Sequence, residues 1–132
     1  MDFMEKYMDV LQNIEFGIVS AYREIPQATD NNVMCSLEAL IDVYAAEKIK
    51  RQPRKFNLSD SERRIMESVH EMCEWRLGRI KLGGNGEEEV RLEPLTLDEM
   101  IQCLKRIQHS VKKWNKMGGR KGYLDFIVQY VK

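Results

Sequence analysis

Apolar residues recur every three or four positions along most of this chain, and breaks in that rhythm divide it into rods. From about Asp2 to Arg23, the residues Met4, Tyr7, Met8, Leu11, Ile14, Ile18 and Tyr22 share one face at 100° per residue. Ile25-Pro26 ends this first rod, because the residue before a proline avoids helical backbone. A second rod should start with Thr29 or Asp30 as cap and run to about Lys50. Its stripe is Val33, Leu37, Leu40, Ile41 and Tyr44, and Ala39, Ala45 and Ala46 permit a close neighbour. Pro53 closes it, and Phe56 is expected to anchor the short linker in the core.

The third rod, Ser59 to about Ile80, has the clearest start. Ser59 caps free amides, Glu62 completes a capping box and Leu58 can staple onto the first turn. Ile65, Met66, Val69, Cys73, Leu77 and Ile80 form its apolar face. The Gly83-Gly84-Asn85-Gly86 run cannot hold a helix, and a loop is expected to follow it to Pro94. Thr96 and Glu99 form another capping box ahead of a fourth rod reaching about Met117. There Leu97, Met100, Ile101, Leu104, Ile107 and Val111 face inward. Tyr123 to Val131 reads as a short last helix.

These rods predict an all-α fold, an antiparallel four-helix bundle with a short additional C-terminal helix, in one domain over residues 1–132. The expected core is Met8, Leu11, Ile14, Ile18, Leu37, Leu40, Ile41, Tyr44, Val69, Cys73, Leu77, Leu104, Ile107 and Val111. No stretch approaches the roughly 18 consecutive apolar residues of a membrane span, so no membrane partner is expected. Three widely spaced cysteines without a CxxC pair read as free thiols in a cytoplasmic protein, with no cofactor and no structural zinc.

The net charge of zero hides a strong asymmetry. Residues 1–47 carry nine acids and two bases, whereas residues 48–55 carry five bases and no acid. Residues 104–132 carry eight bases and one acid. On the fourth rod Lys105, Arg106, His109, Lys112, Lys113 and Lys116 gather away from the apolar face, and Arg120 and Lys121 follow between glycines. Such a face is the footprint of phosphate-backbone or other anion binding. Its plainer readings are solvation and docking of the acidic half, within one chain or across a dimer.

Three further positions break the amphipathic rule. Glu15 sits within the apolar face of the first rod and Arg76 within that of the third. They read as a buried polar pair, or as edge residues reaching solvent. His70, Gln108 and Asn115 are placed to share a small pocket with them. Trp75 lies nearly opposite the apolar face, as a partner contact or a lone surface aromatic. Glu67 and His70 have the Glu-x-x-His spacing of a di-metal half-site, but only one such motif is present and Glu67 points outward. Arg64 and His70 share a spacing met in some helical-bundle ribonucleases, which ten arginines can produce by chance.

The function expected from these features is a non-enzymatic interaction protein, self-associating through Trp75 and its charged faces. A nucleic-acid accessory factor using the basic face is the second reading. A small metal-binding or catalytic bundle around Glu15, His70 and Arg76 is the third.

Overall fold

A computed structural model describes residues 3–80 and 94–116, with side chains described for residues 8, 10–80 and 94–113. The described residues are helical and contain no strand. The helices are α1 (Phe3–Glu24), α2 (Asp30–Ile49), α3 (Asp60–Arg76) and α4 (Leu97–Lys116). The expected C-terminal helix, Tyr123 to Val131, lies outside the described residues.

Each helix end has a local chemical cause. The Thr29 hydroxyl accepts from the Asn32 amide, and the Asn32 side chain accepts from the Thr29 amide. Ser59 with Glu62, and Thr96 with Glu99, repeat this reciprocal box. Backbone donation to Glu62 is also the main reason its carboxyl is held below the usual range. At the other end of α3, Arg79 donates to the Glu74 carbonyl and Gly78 to that of Trp75. That is a Schellman cap with Gly78 at φ +77. It stops α3 at Arg76, four residues before the expected end, and leaves Ile80 exposed rather than on an apolar face. The same bonding pattern ends α2, with Lys50 at φ 58 where glycine is usual.

The core lies where the apolar stripes meet. Leu11, Ile14, Ile18, Leu37, Leu40, Ile41, Tyr44, Val69, Cys73, Leu104, Ile107 and Val111 are buried as expected, while Met8 and Leu77 are half-buried. Val10, Tyr22, Ile65, Met100 and Cys103 join them. Cutting a leucine such as Leu37 or Leu104 to alanine would cost about 2–5 kcal/mol. Phe56 is not the expected core anchor, being 36% exposed.

The closely packed pairs are α1 with α3, α3 with α2, α2 with α4, and α4 with α1. Side-chain partners give their directions. Ser68 Oγ donates to the Gly17 carbonyl and Arg64 reaches Glu24, so α1 and α3 are antiparallel. Lys48 meets Asp98 and Gln108 donates to Glu38, so α2 and α4 are antiparallel. Asn32 with Glu62, Tyr44 with Glu74 and Glu47 with Arg79 keep a nearly constant offset, so α2 and α3 run parallel. The expectation of antiparallel neighbours throughout fails at this pair. Ten residues, 50–59, join the two helices; at about 3.3 Å per extended residue they reach roughly 33 Å. That is enough to travel back along a twenty-residue helix of about 30 Å.

Asp42 ties this crossover down. Arg51 donates to it at 2.7 Å, the Arg54 amide donates at 2.7 Å and the Arg54 guanidinium lies 3.7 Å away. These contacts hold the Asp42 carboxyl well below its ordinary range, the Arg51 hydrogen bond first.

Candidate functional site

The parallel pairing of α2 and α3 builds a cleft that no single helix foretells. Its volume is about 250 Å³, and Val43, Tyr44, Glu47, Arg51, Pro53, His70, Glu74 and Arg79 line it. Tyr44 and Glu47, three apart on α2, point at the same groove; His70 and Glu74, four apart on α3, meet them. Arg79 arrives from the Schellman turn, and Arg51 and Pro53 come from the crossover.

The Tyr44 hydroxyl donates to Glu74 Oε2 at 3.2 Å. Its ring is buried and lies 6.0 Å from the His70 ring, tilted by 35°. Burial, then the neighbouring Cys73 and Glu74, pushes this phenol far above its usual range, so Tyr44 acts only as a neutral donor. Arg79 bonds Glu47 at 2.7 Å and stands 3.6 Å from Glu74. His70 Nε2 lies 3.6 Å from Glu74 Oε1, too long for a hydrogen bond, and its side chain is 42% exposed. Glu47 and Glu74 thus share the Arg79 guanidinium, with a partly open imidazole beside them.

This constellation replaces the expected pocket. His70 faces the α2/α3 cleft, whereas Gln108 bonds Glu38 across the α2/α4 groove. Glu15 lies elsewhere again. Gly17, two residues further on, is the position that touches Ser68 and Met72 of α3; Glu15 is about 200° round the helix from it. Burial pushes the Glu15 carboxyl up to about 7, whereas a guanidinium in contact would act in the opposite direction. Arg76 is 8% exposed, with its guanidinium 5.7 Å from the centre of the Trp75 ring. Trp75 itself is half-buried. Glu67 is exposed, and among the described residues no three His, Cys, Asp or Glu side chains gather to hold a metal. Arg64 turns to Glu24 of α1 while His70 turns to Tyr44 of α2, so their shared spacing does not make one site.

Comparison of the chain with protein-family models, curated proteins and solved structures gives no match.

The second feature is the outer face of α4. Lys105, Arg106, His109, Lys112 and Lys113 are all exposed, opposite the buried Leu104, Ile107 and Val111. The side chain of Lys116, and Arg120 and Lys121, lie outside the described side chains. Among the described residues Lys105, His109, Lys112 and Lys113 enter no ion pair. Elsewhere some cations are matched locally, as with Lys48 and Asp98, Arg51 and Asp42, and Arg79 and Glu47, while Arg23, Lys50, Lys55 and Arg63 enter no ion pair among the described residues. No helix of the described residues is long and apolar enough to cross a membrane.

The missed residues were Tyr44, Glu47, Arg51, Glu74 and Arg79. A faint signal existed in the spacing of Tyr44 and Glu47 along one flank of α2. Its meaning depended on which helix lay alongside and in which direction.

Proposed function

We propose that this chain is a non-enzymatic interaction domain that docks on a nucleic-acid phosphate backbone through the outer face of α4. The frame is a four-helix bundle in the ring order α1, α3, α2, α4. The observation that carries the reading is the run of exposed, unpaired basic residues along one face of a single helix. In the acidic half Asp42, Glu24 and Glu47 meet Arg51, Arg64 and Arg79, but Lys105, His109, Lys112 and Lys113 enter no ion pair among the described residues. A cation held for solvation alone would also be exposed, but three such lysines along one helix, with His109 between them, give a continuous line for phosphates. Among the described residues no carboxylate of residues 1–47 pairs with them.

The test is fluorescence anisotropy with mixed-sequence DNA and RNA across a salt series. Neutralising three or four phosphates gives a slope of about −3 to −4 in log K against log salt for duplex DNA. The double change Lys112→Glu and Lys113→Glu should abolish binding while leaving the melting temperature close to that of the parent. Absence of binding at roughly 50 mM salt, where backbone contacts are strong, sinks the reading.

Self-association is a second reading, favoured by Ile49 at 64% and Phe16 at 48% exposure. Light scattering checks it, and a monomer across the working concentration range removes it.

A further inference from the structure

We propose that the α2/α3 cleft receives an unpaired nucleobase of a single-stranded nucleic acid, an inference that rests on the phosphate-binding reading of α4. Several observations converge on a base rather than an ion. Glu47 and Glu74 share the one guanidinium of Arg79, and Arg51 is taken up by Asp42 behind it. An anion entering this cleft would have to displace a carboxylate from a guanidinium, and a cation would have to compete with Arg79 for Glu47 and Glu74. A neutral ring with both donors and acceptors need not. Glu47 and Glu74 can accept from exocyclic amino groups, as carboxylates do on base edges. His70, 42% exposed at the cleft, offers a flat face for stacking, and Pro53 and Val43 add apolar wall.

The rim supplies the electrostatics that a base-bearing strand needs. Lys50 and Lys55 flank Arg51 and Pro53 on the crossover, are exposed, and enter no ion pair among the described residues. Across α2, Lys48 next to Glu47 contacts Asp98 in the first turn of α4. Lys105 follows seven residues later, about 10 Å along that helix. A strand crossing from the α4 face to the crossover would meet cations on both sides of the cleft.

The experiment compares single strands of equal length and charge, with and without bases, by anisotropy at fixed salt. Ribo- and deoxyribo-oligonucleotides of mixed sequence are each set against abasic strands on the same backbone. Base-bearing strands should bind roughly fivefold or more tightly, since stacking one base on a protein ring is worth at least that. His70→Ala should erase the difference and leave the salt slope unchanged. Val43→Phe, which fills the cleft from a half-buried position, should do the same and serves if His70→Ala fails to fold. Equal affinity for base-bearing and abasic strands overturns the inference while the α4 reading stands. So does a preference for bases that survives both changes. If no strand of either kind binds, the phosphate-backbone reading fails, and this inference fails with it.

Discussion

Replacing Glu15 with glutamine should change the stability of this protein in a way set by pH alone. Burial raises the Glu15 carboxyl from an ordinary 4.5 to about 7 in the folded chain. Below 4.5 the group is protonated in both folded and unfolded chains, and its ionisation contributes nothing. Between 4.5 and 7 the unfolded chain loses the proton first, so stability falls as pH rises. Above 7 the loss is complete. At about 1.4 kcal/mol per pH unit the upper limit is roughly 3 kcal/mol. Glu15 is only half-buried, so solvent screening reduces this to the order of 1–2 kcal/mol. Glutamine keeps the shape and removes the charge. Urea unfolding at pH 4.5, 6 and 8 measures the outcome. The Glu15→Gln protein should match the parent at pH 4.5 and exceed it at pH 8. A parent that is the more stable of the two at pH 8 would show that the ionised carboxylate is held by a favourable partner, and would refute the argument from burial.

Three other changes follow from the backbone and the crossover. Lys50→Gly should stabilise by about 1 kcal/mol, because Lys50 closes the α2 Schellman turn in left-handed backbone; thermal melting reads this directly. Gly78→Ala should destabilise by about 1–2 kcal/mol, since φ is +77 and the added carbon would lie 3.1 Å from Pro94; a melting temperature at or above that of the parent contradicts it. Asp42→Asn should loosen the crossover and speed trypsin cleavage after Lys50, Arg51, Arg54 or Lys55. Timed digestion with mass analysis detects it, and unchanged rates would mean that the Asp42 contacts do not hold the segment.

The rods of this molecule are a local property. Caps at Thr29, Ser59 and Thr96, the proline after Ile25 and the three-four spacing of apolar residues act within a few residues of chain, so they could be read directly. Gly78 could not be read as a stop, because a lone glycine becomes one only when its turn closes on Glu74 and Trp75. The outward set of the α4 cations was equally legible, since burying Leu104, Ile107 and Val111 fixes what points away. What lay beyond reach was direction. The linker is short in residues, yet an extended residue covers about twice the distance of a helical one. That difference lets residues 50–59 return along α2, sets α3 parallel to it, and brings Tyr44 and Glu47 to His70, Glu74 and Arg79. Amphipathic spacing says which side of a helix is buried. Only packing in three dimensions chooses the neighbour, and with it the side chains that meet.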